Sequence, residues 1–223
     1  MLTTFIILCT CMLLYMLFYY KINIAVIFIL KVITSACFVL LGFLAYLKSL
    51  SSTYHILILL GLVFGFLGDF VLGLRRLIPK KEKVFFIMGM LLFFIGNILY
   101  ISAFLTLSKN QWYLYFIFTV ILTSTLIVII NKVCIINNEI RYYVYVYILG
   151  LSLTYVVANI NLIGEKTIKN YIVFFGAFAF IVSDFLLYIL YFKKINHKQK
   201  RILKMLNIIF YYVAQVLYAL SIK

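Results

Sequence analysis

Long apolar runs dominate the chain, and short polar or basic breaks separate them. Eight runs can be marked, each close to the ~20 residues that a helix needs to cross the hydrocarbon core of a bilayer. Their approximate limits are 2–20, 23–47, 54–74, 84–106, 112–131, 142–161, 171–192 and 204–221. None alternates polar and apolar residues as the strands of a membrane barrel do. The pattern predicts an all-α, polytopic transmembrane bundle of about eight spans, forming one integral membrane domain over 1–223.

The composition supports a membrane protein. Hydrophobic residues make up 67% of the 223 residues, and charged residues only 11%. A soluble domain of this size has too little interior to bury so much apolar surface, whereas lipid solvates it. Run 2–20 lacks a basic start and a small-residue cleavage site, so we expect a retained helix rather than a signal peptide. The abundance of Ile, Asn, Lys and Tyr is typical of an AT-rich bacterial genome, which points to a bacterial cytoplasmic membrane.

The net charge is +15, and the positions of the basic residues predict how the chain is oriented in the membrane. Fourteen of the 20 Lys and Arg residues lie in or beside the first, third, fifth and seventh loops, five lie on the other side, and Lys31 lies inside a span. The positive-inside rule then places these loops in the cytoplasm and both termini outside. The basic residues sit in short loops between spans, so we expect anionic lipid headgroups at a basic cytoplasmic rim as their partners, and no nucleic acid. The pattern predicts no particular oligomeric state.

Three charged residues lie inside the spans, where charges are costly: Lys31, Asp69 and Asp184. Asp69 follows Gly61 and Gly65 at four-residue intervals and precedes Gly73 by four. Residues four apart share a helix face, and small residues there let another helix approach closely. The spacing predicts that Asp69 faces protein rather than lipid, in a groove made by glycines.

Further polar residues fall at a similar depth in other spans. Asp69 and Asp184 lie six and nine residues from the basic edge, or ~9–14 Å along a helix. Lys31 is at a comparable level, and the remaining candidates are Asn97, Tyr100, Ser183, Tyr211, Tyr212 and Gln215. Together these residues predict one intramembrane pocket. The alternative is that Asn97, Gln215 or a single tyrosine only joins helices by hydrogen bonds.

A metal centre or bound cofactor is not expected. The chain has two histidines, His55 and His197, and neither belongs to an H-x-x-x-H or H-E-x-x-H motif. Glycine-rich nucleotide-binding motifs and a G-x-S-x-G nucleophile elbow are also missing from the sequence.

Four motifs occur in a distinctive order: "GFLGDFVLG", "FIMGMLLFFIGNILYISAF", "GAFAFIVSDFLLYI" and "IIFYYVAQVLYALS". In this order they resemble the YhhN-like lysoplasmalogenase family. Its members are eight-span membrane proteins with G-D on helix 3, S-D on helix 7 and Y-x-x-A-Q on the last helix. The resemblance covers nearly the whole chain. Asn97 stands where the family usually has histidine, and Val32 follows Lys31 where the family has proline.

The resemblance implies a hydrolase that cleaves the vinyl ether of a lysophospholipid substrate drawn from the bilayer. That reaction needs a positioned acid and a nearby negative charge, and two carboxylates in different environments can supply both. We therefore expect Asp69 and Asp184 to be catalytic, with either one as the acid. The expected role of Lys31 is to hold one carboxylate as an anion or to contact the headgroup phosphate. Asn97, Tyr212 and Gln215 would orient water and the glyceryl oxygen, and Tyr100, Ser183 and Tyr211 would bind substrate or support the site.

Two other classes of function remain open at this point. Membrane carboxylates and a lysine can form the proton relay of a small-molecule or lipid transporter, although no inverted repeat is evident. A non-catalytic lipid-binding protein is the other alternative, and Asn97 favours it. An intramembrane aspartyl protease fits less well, because Phe66 occupies the first glycine position of its G-x-G-D motif.

Overall fold

The computed structural model describes residues 2–108 and 112–223. Over these residues the chain forms eight α-helices and one short 3-10 turn at Pro79–Lys81, with no strand. The helices are α1 Leu2–Phe18, α2 Ile24–Tyr46, α3 Thr53–Leu77, α4 Glu82–Leu105, α5 Trp112–Val133, α6 Asn138–Gly164, α7 Ile168–Phe192 and α8 His197–Ser221. The predicted all-α class is confirmed.

Seven of these helices, α2 to α8, are long and apolar enough to cross a membrane. The remaining helix, α1, has 17 residues and is also apolar, but it is somewhat short of the ~20 residues of a full span. The chain is therefore a multi-pass membrane protein. The orientation of the termini stays a prediction from the loop charges.

Several helices extend beyond the apolar runs from which they were predicted. Run 142–161 becomes α6 Asn138–Gly164, and run 204–221 becomes α8 His197–Ser221. A helix satisfies its own backbone hydrogen bonds, so it does not have to end where the apolar residues end. Capping residues fix some of the starts: the Ser52 hydroxyl accepts a hydrogen bond from the His55 amide, and the Thr167 hydroxyl accepts one from the Asn170 amide.

The helices form two compact units. The first comprises Met1–Ala103 and Tyr218–Lys223, and the second comprises Phe104–Leu217. In the first unit α2 packs against both α1 and α3, and in the second α6 packs against both α5 and α7. That residues 1–223 form a single integral membrane domain stays a prediction.

Glycines on α3 admit side chains from two neighbouring helices. A β-carbon on Gly61 would collide with the Tyr100 ring of α4, and one on Gly73 would collide with the Phe28 ring of α2. The prediction of a single glycine face is therefore wrong. Four residues exceed one helical turn of 3.6, so each four-residue step rotates the stripe by about 40°. Over three steps the stripe turns from one neighbour to the other, and Asp69 lies on the part that faces α2.

Replacing Gly61 with alanine should destabilise the protein. Because the new methyl group has to displace the buried Tyr100 ring, the free energy of unfolding should fall by about 1–3 kcal/mol, the usual cost of overpacking. Gly164→Ala is the matched control, since a β-carbon there would meet no atom of the described residues within 4 Å beyond its own helical turn. Thermal unfolding in detergent measures both variants. Equal unfolding midpoints would contradict this account of the α3–α4 contact.

Candidate functional site

Asp69 lies in a buried ion pair within the first unit. The Lys31 ammonium is 2.9 Å from Oδ1 of Asp69, and the Ser35 hydroxyl donates a 2.6 Å hydrogen bond to Oδ2. The Asp69 side chain is only 4% exposed and that of Lys31 17%. Both carboxylate oxygens thus have a donor, one of them charged. Such pairing makes a buried carboxylate tolerable in an apolar setting.

The helix geometry explains why these residues meet. Lys31 and Ser35 are four apart on α2, so they project from one face toward α3. The Phe28 ring of α2, one turn from Lys31, lies 5.4 Å from the ring of Phe70, which follows Asp69 on α3. These rings place apolar groups on one side of the ion pair. The sequence predicted that Lys31 holds one aspartate as the anion or contacts the headgroup phosphate, and the structure places its ammonium against Asp69.

The two candidates on α4 are buried in the first unit. Asn97 is fully buried, and Tyr100 is 1% exposed. The Tyr100 ring packs against Gly61 and lies 4.4 Å from the Tyr218 ring, measured between centroids. Packing therefore fixes the position of Tyr100. A direct role for either residue in substrate binding stays a prediction.

Asp184 lies on α7 in the second unit, and its environment differs from that of Asp69. The Tyr147 hydroxyl of α6 donates a 2.6 Å hydrogen bond to Oδ2 of Asp184. Both residues are 6% exposed. A phenol orients a carboxyl group through one short hydrogen bond without placing a formal positive charge beside it. The carboxylate of Asp69, by contrast, faces an ammonium group.

Ser183 joins α7 to α8. The Asn207 amide donates hydrogen bonds to the carbonyl and the hydroxyl of Ser183, at 2.9 and 3.0 Å. The Ser183 hydroxyl in turn donates to the Asn207 carbonyl at 3.2 Å, and the Lys204 ammonium donates to the Asn207 side-chain oxygen at 2.9 Å. Ser183 thus holds in place the turn of α7 that carries Asp184. This is a positioning role, distinct from the substrate contact that the sequence suggested.

The remaining candidates on α8 are buried in the second unit. Tyr211, Tyr212 and Gln215 are 8%, 1% and 0% exposed. The Tyr211 ring lies 6.2 Å from the Phe180 ring and 5.1 Å from the Tyr212 ring. Because they are buried, these polar side chains contact protein atoms. Their grouping with the other candidates in one pocket stays a prediction.

Sequence reasoning missed three residues that the structure places at or near the aspartates: Ser35, Tyr147 and Asn207. Ser35 could have been found from its four-residue spacing to Lys31. Tyr147 could not, because it is one of 19 tyrosines and only the register between α6 and α7 brings it to Asp184. The buried Tyr188 hydroxyl, one turn beyond Asp184, has no hydrogen-bond partner among the described residues.

The chemical groups at these positions are carboxylates, hydroxyls, amides and the ammonium groups of Lys31 and Lys204. Within 2–108 and 112–223 no three His, Cys, Asp or Glu residues cluster as metal ligands. These groups can donate and accept protons and can stabilise a positive charge. They suit acid–base chemistry on a substrate that is soluble in the bilayer.

A model of the YhhN family matches residues 26–222, nearly the whole chain. No curated protein and no solved structure matches.

Removing one partner of the buried ion pair should destabilise the protein more than removing both. Lys31→Met or Asp69→Asn alone leaves a buried charge without its partner, which costs about 3–5 kcal/mol. The double variant should be more stable than either single variant, with a coupling energy above about 1 kcal/mol. Unfolding measurements on all four proteins in detergent give this value.

The Arg75–Glu82 pair provides the control for this cycle. Its charged atoms are 3.4 Å apart, but the Glu82 side chain is 61% exposed. An exposed pair contributes less than about 1 kcal/mol, so its coupling should be smaller. Additive effects at Lys31 and Asp69 would contradict the structural importance of their contact.

Proposed function

We propose that this chain, which belongs to the YhhN family, hydrolyses the vinyl ether of lysoplasmalogens. The products would be a fatty aldehyde and a glycerophospho-base. The observation that carries the proposal is the presence of two buried carboxylates on membrane helices, one paired with an ammonium group and one with a phenol. Charged residues are rare inside spans and usually mark a functional site.

The reaction requires an acid and a counter-charge. The acid delivers a proton to the alkenyl carbon that does not carry oxygen, and the double-bond electrons form the new C–H bond. The adjacent carbon becomes an oxocarbenium ion, to which water adds with loss of a proton. The resulting hemiacetal then breaks its bond to the glyceryl oxygen, which takes up a proton as the aldehyde forms. Oxidation states balance without a cofactor.

We assign the counter-charge to Asp69. The Lys31 ammonium and the Ser35 hydroxyl contact its two oxygens and fix their positions. A fixed negative charge in an environment of low dielectric constant stabilises a developing cation more strongly than it would in water. Lys31 then acts as a positioning residue that maintains this charge.

We assign proton delivery to Asp184. The Tyr147 hydroxyl orients its carboxyl group, and Ser183 anchors the same turn to α8 through Asn207. An ionised carboxylate is costly to bury, and a hydrogen bond from a phenol repays less of that cost than a contact with an ammonium group does. Asp184 is therefore the better proton donor of the two. The supporting roles proposed for Asn97, Tyr100, Tyr211, Tyr212 and Gln215 are to orient water and the glyceryl oxygen.

The setting suits a lipid substrate. A lysoplasmalogen is apolar along its alkenyl chain and resides in the leaflet, so it can approach membrane helices from the side. The basic loops suit its phosphate group. The Lys31–Asp69 pair also favours a second candidate, a proton-coupled transporter. Proton flux into proteoliposomes without any aldehyde release would favour transport over hydrolysis.

Asp69→Asn and Asp184→Asn should each lower aldehyde release by about 10²- to 10⁴-fold, the usual contribution of an acid–base group. Asparagine keeps the shape of the side chain but can neither carry the charge nor deliver the proton. Purified protein is incubated with lysoplasmenyl-ethanolamine in detergent with a chelator, and the aldehyde is quantified. Glu139→Gln, on an exposed side chain, serves as the control and should retain full activity. Near-normal turnover in both aspartate variants would contradict the proposal.

Tyr147→Phe should lower kcat by roughly tenfold while KM changes little. The variant removes the hydrogen bond that orients Asp184, which corresponds to about 1–2 kcal/mol of transition-state stabilisation. Tyr145→Phe, two residues away on the same helix, removes a more exposed hydrogen bond to Asn131 and should leave both constants unchanged. If the two variants behave alike, Tyr147 has no specific role at Asp184.

A further inference from the structure

Two adjacent arginines, Arg75 and Arg76, lie in the last turn of α3 and have different environments. The Arg75 side chain makes an ion pair with Glu82, and its guanidinium carbon lies 5.6 Å from the centre of the Phe86 ring. The guanidinium carbon of Arg76 lies 4.6 Å from the centre of the Tyr19 ring, just beyond the end of α1. The Arg75 guanidinium thus contacts both a carboxylate and an aromatic ring, and the Arg76 guanidinium contacts an aromatic ring.

The Arg76 guanidinium still has unused hydrogen-bonding capacity. Its Nη1 atom is buried, yet it donates to no acceptor among the described residues. Stacking on Tyr19 holds the plane of the group but satisfies none of its N–H donors. A buried donor without an acceptor costs about 1–3 kcal/mol, more when it is charged, so native proteins nearly always provide one. An anionic group that reaches this guanidinium would supply the acceptor.

The geometry of arginine indicates what that acceptor is. A guanidinium group presents parallel N–H donors that match two oxygens of one phosphate, and arginine is favoured wherever such paired recognition occurs. Arg76 lies about two helical turns beyond Asp69, or ~10 Å along the axis at 1.5 Å per residue. That displacement carries it from the apolar part of α3 to the basic end, where phospholipid phosphates lie.

We propose that Arg76, held by Tyr19, binds the phosphate of a phospholipid headgroup. The phosphate can come from a substrate lysophospholipid or from an anionic lipid of the bilayer, and its chemistry is the same in both. Assignment to the substrate rests on the proposed function, whereas the phosphate site itself does not. In a lysoplasmalogen three glycerol carbons separate the phosphate ester from the vinyl ether. A phosphate at Arg76 would let the vinyl ether extend along α3 toward Asp69.

Lipid binding to the full-length protein tests this site without any need for turnover. Purified wild type, Arg76→Gln and Arg75→Gln are titrated in an uncharged detergent, and bound lipid is measured by native mass spectrometry. The probes are a 1-O-alkyl lysophosphoethanolamine, whose saturated ether cannot be hydrolysed by this route, short-chain phosphatidylglycerol, and 1-O-alkylglycerol, which has no phosphate. Thermal unfolding confirms that each variant is folded.

Arg76→Gln should weaken binding of at least one phosphate lipid by about tenfold, the effect of losing one charge-assisted contact. Arg75→Gln should change it less than about twofold, and alkylglycerol binding should be the same in all three proteins. If Arg76→Gln weakens binding of the lysolipid alone, the phosphate comes from the substrate. If it weakens binding of phosphatidylglycerol alone, the phosphate comes from a lipid of the bilayer. Weaker binding of both lipids supports a site that accepts either.

Unchanged binding of both phosphate lipids by Arg76→Gln would overturn the proposal. So would an equal loss of phosphate-lipid binding in Arg75→Gln, or an equal loss of alkylglycerol binding in Arg76→Gln. If the wild type binds these lipids through Arg76 but releases no aldehyde from a lysoplasmalogen, the phosphate site is supported. In that case only the proposed hydrolysis would fail.

Discussion

The structure depends on the contact between Lys31 and Asp69, because the core of a bilayer contains no water to solvate a charge. Each buried polar group then needs a partner within the protein. Lys31 and Ser35 supply donors to both oxygens of Asp69 at 2.9 and 2.6 Å. α2 must therefore keep its register against α3, and the Gly73–Phe28 contact follows from the same register. The ion pair links the architecture of the first unit to its chemistry.

The same constraint gives the second unit a different solution. Asp184 is oriented by a phenol, and the neighbouring Ser183 fastens its helix to α8 through Asn207. Two carboxylates with unlike partners are the arrangement by which proteins obtain an acid and a lasting anion from one residue type. The division of roles that we propose for Asp69 and Asp184 rests on this contrast.

Sequence periodicity predicted the helices well, because a span needs a long apolar run and few other structures can use one. It also identified Asp69, Asp184 and Lys31, since a charge inside such a run is conspicuous. It could not identify Tyr147 or Asn207, whose importance depends on the register between helices. The glycine stripe of α3 was assigned to one face, because a four-residue repeat is only approximately in phase with a helix. Local pattern thus predicts elements and unusual residues, whereas interhelical packing decides which residues meet.

The most direct test of vinyl ether hydrolysis is to follow the origin of the new C–H bond. Purified protein is incubated with lysoplasmenyl-ethanolamine in D₂O, and the released aldehyde is trapped at once and analysed by mass spectrometry. Delivery of a proton to carbon predicts one deuterium on the carbon next to the aldehyde group, with labelled aldehyde released at least about a hundredfold more slowly by Asp184→Asn. Absence of aldehyde from folded wild-type protein, or aldehyde without deuterium at that carbon, would contradict the account.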